Sequence, residues 1–108
     1  MNFQNKIKAA LLTVGVPVSH YSATKQLNKY IVWAEDVQRD AVYADDVLQT
    51  QIIEGTIDYF TKSEYDVNVD AIQTALNAAG ISSRLNSIQH EDDTGYIHYE
   101  WVWDEVAD

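Results

Sequence analysis

The chain has 108 residues and a formal net charge of −10, with seven Lys and Arg against seventeen Asp and Glu. It contains no cysteine, which excludes disulfides, thiolate zinc sites and cysteine nucleophiles. The length suits a single domain over residues 1–108, the acidity argues against tight nucleic-acid binding, and no stretch approaches the roughly 18 apolar residues of a membrane span.

The N-terminal segment predicts a helix. Its apolar residues recur at spacings of three and four, which places them on one stripe of a helix. Gly15 suits a left-handed helix end, and Pro17 prevents the helix from continuing. The stripe consists of Phe3, Ile7, Ala10, Leu11 and Val14.

The centre of the chain predicts two strands separated by a loop. Residues 29–35 are β-branched and aromatic, as is typical of a strand. The polar, acidic segment "DVQRDAVYADD" that follows predicts a loop with a short extended piece near Tyr43. Residues 49–61 form the longest predicted strand, and Gly55 on its apolar face predicts a bulge or a close backbone approach.

The C-terminal half predicts a helix and a hairpin. Asp66 is the expected N-cap of a helix over about residues 67–79, which Gly80 ends. A weakly patterned strand follows over "SSRLNSIQHE", then a turn at "DDTG", and a last strand over about residues 96–103.

These elements predict an α+β fold. The expected order is α-β-(β)-β-α-β-β, with two helices packed on one mostly antiparallel sheet of about four to five strands. Large rings at alternate strand positions next to helices belong to a core more often than to an exposed sugar-stacking platform. The predicted core residues are Ile53, Ile57, Tyr59, Ile72, Leu76, Tyr99, Trp101 and Trp103.

The triplet Asp93-Thr94-Gly95 matches the active-site triplet of aspartic proteases. In those enzymes the carboxylate lies in a buried, dry site, where two such groups share a proton. Here the triplet follows "QHED" and precedes a tyrosine, so it predicts an exposed turn. The chain also has no glycine-rich phosphate loop and no nucleophile elbow, and we predict neither a catalytic residue nor a cofactor.

The last strand raises the question of a metal site. His98 and Glu100 are two residues apart and project from the same face, and His90 with Asp92 could approach across the hairpin. Imidazole and carboxylate are suitable ligands for zinc or iron. Alternation gives a simpler account, in which the aromatic residues face the core and His98 and Glu100 face solvent. The sequence therefore predicts no metal site.

Three stretches together resemble a known family. They are "VYADD" (42–46), "IDYFTKSEYDVNVDAIQTALNAAGI" (57–81) and "EDDTGYIHYEWVW" (91–103). In order and spacing they resemble small tail proteins of the tail-terminator or head–tail completion group, from long-tailed bacteriophages and prophages of Gram-positive bacteria. The resemblance covers roughly residues 40–103.

The resemblance implies a non-enzymatic virion component. Members of this group form a ring, typically hexameric, that caps the completed tail tube and offers a docking surface to the head. The implied partners are other copies of the chain, the tail tube protein and the head-completion protein. The implied location is the virion tail, and the host cytoplasm during assembly. The resemblance transfers no catalytic residue.

DNA must slide through such a ring, so carboxylates suit its inner wall. We therefore expect much of the acidic central loop, or the "HEDD" turn (90–93), to face the lumen, and the loop could instead belong to a subunit interface. The loop residues concerned are Glu35, Asp36, Asp40, Tyr43, Asp45 and Asp46. The alternative function is a small acidic binding or regulatory module of the immunity or inhibitor type, encoded by a prophage.

Overall fold

The computed structural model describes residues 2–44 and 47–107, which form two helices and five strands. The strands form one sheet in the order β1-β2-β3-β5-β4, in which β1 is parallel to β2 and the other neighbours are antiparallel. The predicted α+β class is therefore confirmed. In chain order the elements are α1 (Asn2–Leu12), β1 (Val18–His20), β2 (Lys29–Ala44), β3 (Val47–Thr61), α2 (Val67–Ala78), β4 (Ser82–His90) and β5 (Ile97–Ala107).

The central acidic segment is where the sequence prediction was wrong. Residues 36–44 do not form a loop but continue β2, which at 16 residues is slightly longer than β3 at 15. Pairing with β3 gives the backbone of this polar segment hydrogen-bond partners on one side. The strand also contains three register irregularities, after Glu35, Gln38 and Val42. These irregularities interrupt the alternation of inward and outward side chains by which a strand is predicted from sequence.

The order of strands differs from the prediction in one detail. The extended piece near Tyr43 is the end of β2, whereas the short extra strand is β1, which precedes β2 and pairs with it over Ile31–Trp33. With three residues, β1 is too short to show a pattern in the sequence. The last strand also continues beyond the predicted residue 103, to Ala107.

Helix α2 begins at the predicted cap. The Asp66 carboxylate accepts a hydrogen bond from the backbone N–H of Asn68 at 2.9 Å, which satisfies one of the free donors of the first turn. At the other end, the N–H of Gly80 donates to the carbonyl of Asn77, and Gly80 has a positive φ of 70°. A residue with a side chain would be strained in that conformation, so glycine suits this helix end.

Both helices pack on one face of the sheet, the core face. Among the predicted core residues, Ile53 and Tyr99 are partly buried against the cluster, and the others are buried. The indole N–H groups of the two buried tryptophans have partners, because Trp101 donates to the side chain of Gln73 and Trp103 to the carbonyl of Thr56. The buried predicted residues are Ile57, Tyr59, Ile72, Leu76, Trp101 and Trp103.

At Gly55 neighbouring atoms approach the backbone closely, which was one of the two predictions for this glycine. A Cβ atom at this position would overlap the carbonyl oxygen of Ala34 and the indole of Trp103. The indole therefore takes the space that a side chain at position 55 would need. This contact lies between paired residues, since Gly55 and Trp103 are partners in the β3–β5 register.

We expect Trp101→Ala to destabilise the protein by about 3–5 kcal/mol, because it removes a large buried ring and leaves a cavity. Val67→Ala is the control, since Val67 is 77% exposed and should change stability by no more than about 0.5 kcal/mol. Urea unfolding of the wild type and both variants measures the difference. Equal midpoints for Trp101→Ala and the wild type would contradict the assignment of Trp101 to the core.

Candidate functional site

The face of the sheet opposite the helices, here called the open face, carries its own aromatic cluster. The ring of Phe60 stacks on Tyr30 at a centroid distance of 4.8 Å and on His98 at 4.3 Å. Tyr96 meets Phe60 edge-on, and its hydroxyl donates to the carbonyl of Leu27 at 2.6 Å. The segment before β2 is thereby held against this end of the open face, so the face is partly covered.

A histidine and two carboxylates lie beside this cluster. The Nε2 atom of His98 is 2.6 Å from Oδ1 of Asp58, on the neighbouring strand β3. Asp58 is the register partner of Glu100 across the β3–β5 pair. The donor atoms of His98, Asp58 and Glu100 all lie within 4.8 Å of one another. We call this group the open-face triad.

The triad corrects one expectation from the sequence. His98 does lie on the face opposite the core aromatics, but its side chain is only 19% exposed, because Phe60 covers its ring and Asp58 binds it. It is therefore not simply solvated. The triad itself could not be found from the sequence, since Asp58 is 40 residues away and only the strand register brings it close to His98.

The other carboxylates on this face raise the local negative charge. Partial desolvation raises the pKa of Asp36 although its side chain remains largely exposed, and the charges of Asp58, Glu100 and Glu54 raise it further. Glu100 accepts a hydrogen bond from the side-chain amide of Asn86 on β4 at 2.9 Å. The triad thus has a donor from β4 on one side and an acidic neighbour from β2 on the other.

A second polar group, around Asp66, has a structural role. Burial raises the pKa of this carboxyl, but hydrogen bonds from Thr61, Tyr59, the Asn68 N–H and Lys29 outweigh burial and hold the pKa below its ordinary value. Burial and the bond to Asp66 in turn raise the pKa of Tyr59 to about 12. The group joins the end of β3 to the first turn of α2 through these hydrogen bonds.

The predicted lumen or interface residues do not form one loop. Glu35, in β2, accepts hydrogen bonds from Nε2 of His20 at 2.7 Å and from the hydroxyl of Tyr21 at 2.6 Å. Asp36 belongs to the acidic surroundings of the triad. Asp40 and Tyr43 belong to β2 and pair with residues of β3. Asp45 and Asp46 lie outside the described residues. Exposure of these carboxylates to a lumen stays a prediction.

The Asp-Thr-Gly triplet is a turn, as predicted. Its residues are exposed, the Thr94 hydroxyl donates to the Glu91 carboxylate at 3.1 Å, and Gly95 has a positive φ of 77°. The N–H of Gly95 donates to the carbonyl of Glu91, which closes the turn. An exposed turn of this kind lacks the dry surroundings that a catalytic aspartate pair needs.

No protein-family model matches the chain, and none of the curated proteins matches it. Among solved structures, a chain of the virion of a native gene transfer agent (GTA) particle is similar, with a TM-score of 0.62 and 14% sequence identity. The alignment covers 95% of this chain and 89% of that chain. At this identity the similarity shows a shared fold. In the part of the chain that the structure describes, neither helix is long and apolar enough to span a membrane.

The pairing with Asp58 predicts that His98 keeps its proton above the ordinary pKa of 6.5. The hydrogen bond to Asp58 raises the pKa most, burial lowers it, and nearby carboxylates raise it further. Because the pKa is raised on folding, the pair stabilises the fold fully below pH 6.5, and this stabilisation is lost as the pH rises through the folded-state value. We expect an NMR titration of the His98 ring to give a midpoint above 6.5, and Asp58→Asn to lower that midpoint. A wild-type midpoint at or below 6.5 would contradict the pairing.

Asp36→Asn should stabilise the protein at neutral pH. Folding raises the pKa of Asp36, so its ionised form opposes folding increasingly as the pH rises above the ordinary value of 3.8. The gain should stay below about 1 kcal/mol, because the side chain is exposed, and it should shrink with added salt. Asp93→Asn, in the exposed turn before β5, is the control. Urea midpoints at low and high salt measure both variants, and a less stable Asp36→Asn would show that the repulsion is absent.

Proposed function

We propose that the protein is a non-enzymatic structural component of a phage-type virion, of the tail-terminator or tail-completion kind. The observation that carries this proposal is the fold shared with a chain of a gene transfer agent virion, over nearly the whole of both chains. The sequence resemblance to small tail proteins, found from different features, supports the same function.

We further propose that the chain assembles with copies of itself into a ring at the head-proximal end of the tail tube. Both edges of the sheet support this. Within the described residues, β1 pairs with β2 only over Ile31–Trp33, so the β2 edge has no strand neighbour from Ala34 onward. β4 is the opposite edge of the same sheet. Two different open edges on one subunit allow a head-to-tail contact that repeats until a ring closes.

The surface beside β4 adds apolar area to that edge. Ile88 is 58% exposed and lines a shallow groove with Tyr65, Ile97 and Tyr99. The side chain of Tyr65 is 95% exposed to solvent. Its backbone has a positive φ of 54°, a conformation that is uncommon for a large aromatic residue. Exposed aromatic and aliphatic side chains next to an open edge are typical of an interaction surface.

We expect Ile88→Lys to prevent ring formation while the subunit stays folded, because the new charge lies in the proposed subunit contact. Leu12→Lys is the matched control: Leu12 is 55% exposed but lies at the end of α1 and does not line the groove beside β4. Sedimentation velocity and negative-stain electron microscopy measure assembly, alone and with tail tubes, and circular dichroism measures folding.

Three outcomes would count against the proposal. If the wild-type protein stays monomeric both alone and with tail tubes, the chain does not form the proposed ring. A monomer that instead binds one target protein tightly would support the alternative, a regulatory module of the immunity or inhibitor type. Equal loss of assembly in Ile88→Lys and Leu12→Lys would remove the β4 side from the contact.

A further inference from the structure

The open-face triad combines donors that the strand register holds together. Asp58 and Glu100 lie directly opposite each other on β3 and β5, and His98 is the next residue along β5 on the same face. Its Nε2 atom is the one that points to Asp58, at 2.6 Å. One imidazole nitrogen and two carboxylate groups therefore converge within 4.8 Å.

We propose that Asp58, His98 and Glu100 bind a divalent transition-metal ion, for which zinc is the best match. Zinc accepts imidazole nitrogen and carboxylate oxygen at about 2.0–2.2 Å in a tetrahedral arrangement, so its ligand atoms lie about 3.3–3.6 Å apart. Small side-chain rotations bring the three donor groups to that spacing. Magnesium and calcium fit less well, because they prefer sites made of oxygen ligands alone.

The surroundings of the triad already orient two of the three ligands. Phe60 stacks on the imidazole of His98 with an interplanar angle of 17°, which fixes the plane of the ring. Asn86 donates to one oxygen of Glu100, Oε1, at 2.9 Å, and thereby holds that carboxylate. Outer contacts of this kind fix the ligands of protein metal sites and strengthen binding.

Local charge favours a cation here. The carboxylates of Asp58 and Glu100, together with that of Glu54, also disfavour ionisation of Asp36 on the next strand. Among the described side chains, Asp58 is bound by the imidazole of His98 and Glu100 by the amide of Asn86. A divalent ion would offset this concentration of negative charge more effectively than one shared proton does.

Binding of zinc would replace the proton that His98 and Asp58 share, and that proton would pass to solvent. The ion would then join β3 to β5 on the open face. Three protein ligands leave one tetrahedral position, which water or a donor from another molecule can occupy. This proposal stands on the geometry of the triad and does not depend on the proposed ring.

Zinc binding to the untagged 108-residue chain tests the site. We expect isothermal titration with zinc chloride to give one site per chain, and zinc to raise the melting temperature until a chelator reverses the rise. Asp58→Asn and His98→Gln should abolish both effects. Glu100→Gln should weaken binding by at least about tenfold.

The chain offers a matched control in a second histidine–carboxylate pair. Nδ1 of His90 lies 3.0 Å from Asp92, but this pair is exposed and lies where β4 ends and the following turn begins. His90→Gln should therefore leave zinc affinity and stoichiometry unchanged. Asp36→Asn, next to the triad, should change the affinity by less than Glu100→Gln does, because Asp36 is a neighbour rather than a ligand.

The proposal is overturned if the wild type does not bind zinc, or if His98→Gln and His90→Gln reduce binding equally. Magnesium that binds as tightly as zinc would also overturn it, because the imidazole would then have no part in selectivity. If His98→Gln fails to fold, because its ring packs on Phe60, the spectrum of bound cobalt in the folded Glu100→Gln variant decides. If the wild type and Glu100→Gln give the same spectrum of tetrahedral cobalt, the triad is excluded as the metal site.

Discussion

The indole of Trp103 fills the space beside Gly55 where any other residue would place a Cβ atom. The ring is fully buried, its N–H donates to the carbonyl of Thr56, and Phe3 of α1 packs against it at a centroid distance of 5.9 Å. One contact thus joins β5 to β3 and places α1 on the sheet. Trp101, two residues earlier, does the same for α2 through the side chain of Gln73. Both helices are positioned by indoles of the last strand.

This packing also decides what the opposite face contains. Side chains alternate along a strand, so the inward position of the two tryptophans places His98 and Glu100 on the open face. Ile57 and Tyr59 are fully buried in β3, which places Asp58 between them on the open face. The β3–β5 register then brings Asp58 opposite Glu100. The donor cluster follows from the core, because shifting either strand by one residue would separate its members.

The two faces handle negative charge in different ways. At the junction of β3 and α2, the buried carboxylate of Asp66 is fully engaged by hydroxyls, a backbone N–H and Lys29, so it stabilises the fold. On the open face, the carboxylates of Asp58 and Glu100 lie close enough to Asp36 to disfavour its ionisation. With a net charge of −10 the chain has few cations to place between them. Charge that the fold itself does not neutralise is available for a bound ion or for a neighbouring subunit.

The sequence by itself determined the features that depend on neighbours in the chain. The helical stripe starting at Phe3, the Asp66 cap, the alternation around Trp101 and the exposed turn at Asp93 are all local patterns, and the structure contains them. These patterns were enough for the α+β class, because amphipathic helices and a strand with one apolar face have few ways to bury their apolar sides.

Only the tertiary structure decided the rest. The polar stretch 36–44 is a strand because β3 supplies its hydrogen-bond partners. Three register irregularities interrupt its side-chain alternation, so its sequence lacks the periodic pattern that would predict a strand. β1 exists because β2 offers an edge to its three residues. Asp58 meets His98 across 40 residues of chain. Each of these features needs a strand partner that is distant in sequence, and hydrogen bonding between such partners is set by packing rather than by the residues of either segment alone.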